Sequence, residues 1–171
     1  MATILRDVTK ANWRACVDLR LAPGQEAFVA SNAYSLAEAK FNPTYIPQAI
    51  YHHGDGDPAA ETLVGFVMYG YDPDDEPPYG QRHWILRLMI DRDHQGRGYG
   101  RAALLEVLRR LEADPACPDV LIGYETTNTV AAKLYHDLGF VDLGPAPWGG
   151  EIIARRPTPG STAARAAGEP G

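Results

Sequence analysis

Cysteine is scarce in this chain of 171 residues, which also has no long hydrophobic run and no excess of basic charge. Its cysteines, Cys16 and Cys117, lack the paired Cys/His spacings of metal sites and disulfide frameworks. No apolar stretch reaches the roughly 20 residues of a membrane-spanning helix, and no basic segment followed by an apolar run opens the chain. We therefore expect a cytoplasmic protein with no metal and no membrane partner.

The charge balance argues against nucleic acid as a partner. Lys and Arg number 16 against 22 Asp and Glu, which gives a formal net charge of −6. A surface that binds the phosphate backbone of a nucleic acid requires an excess of Lys and Arg. An acidic chain suits a cationic ligand, although many proteins are equally acidic for solubility alone.

The length and a hydrophobic content of 45% fit one folded domain with a core of ordinary size. We expect this domain to span residues 1–154. Residues 155–171 are rich in Pro, Gly, Ala, Ser and Thr without periodicity, which predicts a disordered C-terminal tail.

Hydrophobic periodicity and turn residues predict mixed strands and helices. Strands are expected at residues 3–5, 49–52, 63–70, 83–91, 120–124, 140–143 and 151–154. Helices are expected at residues 11–20, 25–31 and 129–138, after a capping box at 35–38, and after the glycines at 96–100. Turns at residues 54–58 and 72–78 connect the early strands.

A glycine-rich turn, Gln95 to Arg101, lies between the predicted central strand and an amphipathic helix. Glycines let successive N–H groups point inward, and the helix adds the positive end of its dipole, so this turn can hold a pyrophosphate. The dinucleotide fingerprint requires glycine where Arg101 stands, and the nucleoside-triphosphate loop requires an absent Gly-Lys-Ser/Thr. Alone, the turn is equally compatible with a purely structural role.

A second motif, Asn128 to Tyr135 followed by Gly139-Phe140, gives the turn a chemical context. Asn128 and Tyr135 are seven residues apart, two helical turns, and so project on the same side. A Tyr hydroxyl can donate a proton to the sulfur that leaves when an amine attacks a thioester. The alternative for Tyr135 is a half-buried core residue with its hydroxyl at the surface.

Both motifs, in this order of elements, resemble the GNAT superfamily of N-acetyltransferases over residues 4–154. The resemblance implies an α/β (α+β) fold, in which a twisted, mainly antiparallel sheet of about seven strands has helices on both faces and is splayed between strands 4 and 5 around acetyl-CoA. It also implies a general acid, Tyr135, and direct transfer without a covalent enzyme intermediate. The cofactor-binding residues that it implies are Leu88, Met89, Ile90, Gln95, Gly96, Arg97, Gly98, Tyr99, Gly100, Arg101, Asn128 and Tyr135.

Segments outside these motifs are similar to the bacterial spermine/spermidine (diamine) acetyltransferases: residues 12–16, 28–32, 35–39, 64–69 and 87–91. This likeness implies a polyamine acceptor, and we expect the acids Glu125 and Glu26 to bind it. Alternatives are another small amine, such as an aminoglycoside-type drug or an amino acid, a protein N-terminus, or a non-catalytic acyl-CoA-binding domain. A homodimer is expected only by analogy.

The sequence identifies no general base. Many relatives use a Glu on the central strand, where His83, Ile85 and Arg87 stand in this chain. Because Arg87 would repel a polycation, we expect it to pair with an acid or to turn toward the edge of the core.

Overall fold

The fold is built from seven strands and four helices among residues 3–54, 60–73 and 79–159, which a computed structural model describes. The strands are β1 (Thr3–Asp7), β2 (Tyr45–His53), β3 (Glu61–Asp72), β4 (Arg82–Ile90), β5 (Asp119–Glu125), β6 (Val141–Pro145) and β7 (Glu151–Pro157). The helices are α1 (Trp13–Asp18), α2 (Asn32–Phe41), α3 (Tyr99–Glu112) and α4 (Thr129–Asp137), and a 3₁₀ turn covers Arg92–His94.

The strands form one mixed sheet in the order β1-β2-β3-β4-β5-β7-β6. β1 with β2, β2 with β3, β5 with β7 and β6 with β7 are antiparallel pairs. β4 and β5 run parallel and pair through His83, Trp84 and Ile85, near the beginning of both strands. The predicted mixed α/β fold with about seven strands is therefore confirmed.

The chain divides into two compact units, Met1–Gly70 with Leu86–Glu106, and Tyr71–Ile85 with Val107–Gly171. In the first unit the core cluster contains Cys16, Ala49, Phe66, Met68 and Met89. Every residue from Val64 to Gly70 is buried, and because strand side chains alternate, both faces of β3 are covered there. In the second unit the buried side chains include Val107, Leu108, Leu121, Ile122 and Ile153.

Two predicted helical features are wrong. Residues 23–29 form turns and bends instead of a helix from Gln25 to Ser31. The Gln25 side chain accepts from Ala22 N, and the Glu26 carboxylate accepts from Gly24 N. Such local bonds give the backbone an alternative to a helix.

The capping box at Ser35–Glu38 is also wrong, because α2 begins one turn earlier. Ser31 Oγ accepts from Tyr34 N and caps the helix. Ser35 is buried inside α2, and its hydroxyl donates to Ser31 O. The first helix is shorter than the predicted 11–20, since α1 spans Trp13–Asp18 with Asn12 as N-cap.

The last strand is longer than predicted. β7 continues past Ala154, and Arg155, Arg156 and Pro157 pair with β5, although the sequence pattern placed them in the tail. Residues 160–171 of that tail, and most of the turns predicted at 54–58 and 72–78, lie outside the described residues. Within the described ranges, none of the helices has the length and hydrophobicity required to cross a membrane.

Candidate active site

The turn after β4 has the alternating backbone that the glycines predict. Gly96 has φ 74° and Gly98 has φ 84°, whereas Arg97 between them has a negative φ, since no described non-glycine residue has a positive one. Residues of alternating hand turn successive N–H groups toward one side, which creates an anion-binding concavity. Glycine adopts the left-handed conformation without the penalty that a Cβ brings.

Space lies in front of these glycines. A Cβ built on Gly96 or on Gly98 would meet no described atom within 4 Å. The first backbone bond of α3 runs from Ala102 N to Gly98 O at 3.1 Å, so the N–H groups of the preceding residues have no helical partner. The turn therefore offers backbone donors to an anion, with room for it to approach.

Positive side chains flank the turn. Arg97 and Arg101 are exposed, and neither has an ion-pair partner among residues 3–54, 60–73 and 79–159. Tyr99, by contrast, is buried, with its ring 5.0 Å from that of His52 and 6.4 Å from that of His94. Of the predicted cofactor residues here, the arginines offer charge, while Tyr99 offers its backbone amide.

The strand segment before the turn is fixed by close packing. Met89 belongs to the core cluster, whereas Leu88 and Ile90 are partly exposed. A Cβ on Gly65 of β3 would lie 2.5 Å from Met89 O and 2.8 Å from Ile90 Cδ1. Only a glycine at this position allows the backbone of residues 89–90 to lie where it does.

The second candidate region surrounds Tyr135 on α4. Its ring is buried, 5.8 Å from the Tyr124 ring and 6.1 Å from the Phe140 ring. Burial raises the pKa of the Tyr135 phenol above its usual 10.0. Within the described part of the chain, its hydroxyl has no hydrogen-bond partner. The phenol is thus protonated at neutral pH and available to donate to a bound molecule.

A polar network adjoins this ring. Tyr124 Oη donates to Asp142 Oδ1 at 2.9 Å, and His136 Nε2 lies 3.0 Å from the same oxygen. Burial, followed by the Asp142 carboxylate, raises the pKa of Tyr124 to about 12. Tyr124 is therefore committed to Asp142, which leaves Tyr135 as the free phenol of the two.

Asn128 is the N-cap of α4, and its Oδ1 accepts from Ala131 N at 3.1 Å. A cap satisfies one of the unpaired N–H groups at the helix start, so Asn128 helps to fix the helix that carries Tyr135. At the other end, Gly139 has φ 87°, the predicted left-handed terminus. Contact between Asn128 and the cofactor stays a prediction.

The two predicted acceptor-binding acids differ in their environment. Glu26 is exposed, and its Oε2 accepts from Gly24 N at 2.9 Å. Glu125 is partly buried, pairs in register with Glu151 across β5 and β7, and has no polar side-chain partner in the described ranges. Glu151 accepts from Trp148 Nε1 at 2.7 Å. Because strand side chains alternate, Glu125 projects to the face of β5 opposite Tyr124.

Arg87 forms the predicted ion pair with an acid. Its Nη2 donates to Glu38 Oε2 at 3.0 Å, and Nη1 donates to Leu86 O at 2.8 Å. Both cysteines are buried, and burial raises the pKa of Cys16 to about 11 and that of Cys117 to about 12. At neutral pH they are thiols rather than nucleophilic thiolates.

Several residues that shape these regions were not predicted. Gln25 bonds to Gln95, Asp91 accepts from Arg20 N, and Asp142 holds Tyr124. Each contact joins residues that are distant in the sequence, so no local sequence pattern predicts it. Aspartate at the end of the predicted strand 83–91 was the one available signal, and it indicates a cap at Asp91.

A profile of the acetyltransferase (GNAT) family matches residues 13–140. The spermine/spermidine N(1)-acetyltransferase of Bacillus subtilis is 32% identical over 154 residues, which cover 90% of this chain and 97% of that protein.

Solved structures show the same fold at low sequence identity. The spermidine N-acetyltransferase of Vibrio cholerae, in complex with CoA and spermine, has a TM-score of 0.64 at 15% identity and covers 90% of this chain and 92% of its own. The ribosomal-protein-S18-alanine N-acetyltransferase of Escherichia coli also has a TM-score of 0.64, at 19% identity, with 92% and 94% covered. At such low sequence identity, these two likenesses show a shared fold and nothing more.

Proposed function

Since the chain belongs to the acetyltransferase (GNAT) family, we propose that it transfers the acetyl group of acetyl-CoA to a primary amine of a small polyamine such as spermidine or spermine. The observation that carries this choice is the near full-length similarity to a spermine/spermidine N(1)-acetyltransferase. Related enzymes can differ in acceptor, so the residues of this chain must support the choice independently.

The residues of the turn fit the pyrophosphate of CoA. The turn has alternating glycine conformations, open space and free helix N–H groups, and Arg97 and Arg101 have no ion-pair partner among the described residues. Together these features suit a dianionic group. When bound, acetyl-CoA supplies the activated thioester. In this proposal Leu88 and Ile90 border its pantetheine arm, and Asn128 contacts it as well.

Tyr135 supplies the proton in the transfer step. The amine nitrogen forms a bond to the acyl carbon, the carbon–sulfur bond breaks, and the Tyr135 hydroxyl gives its proton to the sulfur. A buried phenol with a raised pKa carries that proton throughout the neutral range. The attacking amine loses its proton to solvent, and the Tyr135 phenolate takes a proton back from solvent before the next turnover. The buried thiols Cys16 and Cys117 support direct transfer over an acyl-cysteine intermediate.

Carboxylates provide the affinity for a polyamine. Spermidine and spermine are polycations at neutral pH, and a partly buried carboxylate without a partner attracts a distal ammonium group. Glu125 has this character within the part of the chain that the structure describes, whereas Glu26 is exposed and already accepts one backbone bond. We therefore expect Glu125 to contribute more than Glu26.

A kinetic panel tests the acceptor directly. Spermidine, spermine, putrescine, a monoamine, an aminoglycoside and a peptide N-terminus are compared by kcat/KM with acetyl-CoA. We expect spermidine or spermine to lead the panel. If the peptide or the aminoglycoside has the highest kcat/KM, the polyamine assignment is wrong, while the assignment as an acetyltransferase remains. If none of these amines and no free amino acid is acetylated although acetyl-CoA binds, the alternative of a non-catalytic acyl-CoA-binding domain is favoured.

Charge-removing variants sharpen that test. Glu125→Gln should raise KM for spermidine by about tenfold, a loss of about 1.4 kcal/mol, with little change for a monoamine. Glu26→Gln should have a smaller effect. Asp137→Asn is the control, because Asp137 already pairs with Lys133 on the exposed surface of α4. Equal KM changes in all three variants would point to general electrostatics instead of a site.

A further inference from the structure

The segment between α1 and α2 is fastened to the segment between β4 and α3. Arg92 N donates to Arg20 O at 2.8 Å, and Arg20 N donates to Asp91 Oδ2 at 2.8 Å. Asp91 Oδ1 also accepts from Asp93 N at 3.0 Å, which fixes the carboxylate. The bonds of Arg20 to Asp91 and to Arg92 lie within one compact unit and join residues about seventy positions apart in the sequence.

A reciprocal amide pair completes this connection. Gln95 Nε2 donates to Gln25 Oε1 at 2.8 Å, and Gln25 Nε2 donates to Gln95 Oε1 at 3.3 Å. Each side chain has a second anchor, since Gln95 Nε2 also donates to Ile90 O at 3.0 Å and Gln25 Oε1 accepts from Ala22 N at 3.2 Å. Both amides are partly buried, and their orientation is thereby fixed from two sides.

Each of the two glutamines directly precedes a residue that is proposed to bind a ligand. Gln95 directly precedes Gly96, the first glycine of the turn with a positive φ. Gln25 directly precedes Glu26, whose carboxylate closes its own turn on Gly24. A shift of Gln95 is therefore transmitted to Gly96, which is proposed to bind the cofactor. A shift of Gln25 is transmitted to Glu26, which is proposed to bind the amine.

We propose that Gln25 is a positioning residue that acts through Gln95 to hold the glycine turn in its CoA-binding form and to couple that form to the loop that carries Glu26. This inference rests on the proposed function for the identity of the ligands. Its physical basis is independent, because removing one amide leaves polar atoms of the other without partners in a partly buried place. The turn then samples other conformations, and binding carries the cost of restoring the one that binds.

The test uses the full chain and replaces the amides by an isosteric side chain. Gln25→Met keeps the volume, so packing changes little, and it removes both hydrogen bonds to Gln95 together with the bond from Ala22 N. We expect it to raise the Kd of CoA by about fivefold in calorimetry, the size of one lost hydrogen bond. Gln95→Met should raise Kd by at least as much. The double variant should match Gln95→Met alone, since coupled residues are not additive.

Steady-state kinetics provide the second readout. With acetyl-CoA saturating, Gln25→Met should raise KM for spermidine severalfold and leave kcat within about twofold, because Gln25 touches no reacting atom. Gln81→Met is the matched control. Gln81 also joins two segments, as it donates to Pro73 O and accepts from Tyr71 Oη, but it adjoins no predicted site residue. It should change neither constant.

The outcomes separate this inference from the proposed function. If the wild-type chain binds no CoA, the cofactor assignment fails. If the wild-type chain binds CoA and Gln25→Met binds it equally well, Gln25 is only structural and the inference is overturned. Multiplicative effects of Gln25→Met and Gln95→Met in the double variant would also overturn it, because the two residues would then act independently.

Discussion

The glycine turn and the Tyr135 region represent two ways in which a chain can build a chemical site. In the turn, Gly96 and Gly98 contribute backbone conformation, and nothing in the described structure crowds them. Around Tyr135, packing makes the environment, through the rings of Tyr124 and Phe140 and through Asp142. A backbone site depends on few residues in sequence, whereas a buried side-chain site depends on elements that meet only after folding.

The two regions should therefore respond differently to substitution. Changes in the turn should act on ligand affinity, since the turn contributes donors and charge but no reacting group. Changes at Tyr135 should act on turnover, since its packing is preserved by a phenylalanine while its proton is lost. A turn residue that controls turnover, or a loss of CoA affinity at Tyr135, would contradict this division.

The largest effect is expected for Tyr135→Phe. Its hydroxyl has no partner in the described ranges, so its removal leaves no buried group unpaired. Turnover should fall by a factor of about 10² or more, while the Kd of CoA stays nearly constant. Single-turnover rates and calorimetry check the two halves of this expectation. An unchanged chemical rate would reduce Tyr135 to a packing residue.

Substitution of a turn glycine should give the next largest effect. An Ala at Gly98 meets no described atom but must adopt φ 84°, which costs about 1–2 kcal/mol. We expect the Kd of CoA to rise about tenfold, or the turn to change conformation and lose binding altogether. Acetyl-CoA should also lose much of its stabilising effect in thermal melts.

Gly80→Ala is the matched control for that variant. Gly80 has φ 65°, and a Cβ there meets no described atom within 4 Å, so alanine brings a similar backbone cost outside the predicted site residues. Its Kd for CoA should stay within about twofold of the wild-type value. Equal losses in both variants would mean that a general loss of stability, and not the backbone conformation of the turn, controls binding.

Removal of the flanking charges should have a smaller effect. Arg97→Ala and Arg101→Ala should each raise the Kd of CoA by about threefold at low salt, because exposed charges are strongly screened. The difference from wild type should shrink in 0.5 M salt. Arg14→Ala is the control, since Arg14 lies over the Trp13 ring instead. A salt-independent loss would indicate that the arginines shape the turn rather than attract the ligand.

The same division explains what the sequence could predict. The need for a left-handed backbone at Gly96, Gly98 and Gly139 can be recognised from the neighbouring sequence, and the structure gives all three a positive φ. Strand and helix assignments near them were close, as for α4 at Thr129–Asp137 against the predicted 129–138. Because Arg87 would repel a polycation, it was expected to pair with an acid or to turn toward the edge of the core, and it pairs with Glu38.

Predictions failed where side chains bond across long sequence separations. Residues 25–31 have the composition of a helix, but Gln25 bonds to Gln95 and the loop stays irregular. At α2 the sequence pattern placed the cap at Ser35, but Ser35 is buried inside the helix and Ser31 is the N-cap. Asp142 of β6 could not be linked to Tyr124 without knowing that β6 joins the sheet beside β7.

The smallest expected effect concerns the pH dependence of stability and tests whether Tyr124 supports the Tyr135 region. The pKa of Tyr124 is raised to about 12 in the folded chain, against a usual value of 10.0. Below pH 10 the phenol is neutral in both states, so its contribution to stability is complete. As pH rises from 10 toward 12, only the unfolded chain ionises, and the free energy of unfolding falls by at most about 1.4 kcal/mol per pH unit for this group.

Tyr124→Phe should remove that part of the slope, and Tyr135→Phe should remove a similar part, since burial raises the pKa of Tyr135 as well. Urea unfolding at pH 9, 10 and 11 measures the slopes. Turnover separates the two variants, because Tyr124→Phe keeps the ring that packs on Tyr135 and loses only the bond to Asp142. We expect its rate at pH 8 to stay within about threefold of wild type. A loss as large as that of Tyr135→Phe would mean that Tyr124 takes part in the proton donation and does more than pack against Tyr135.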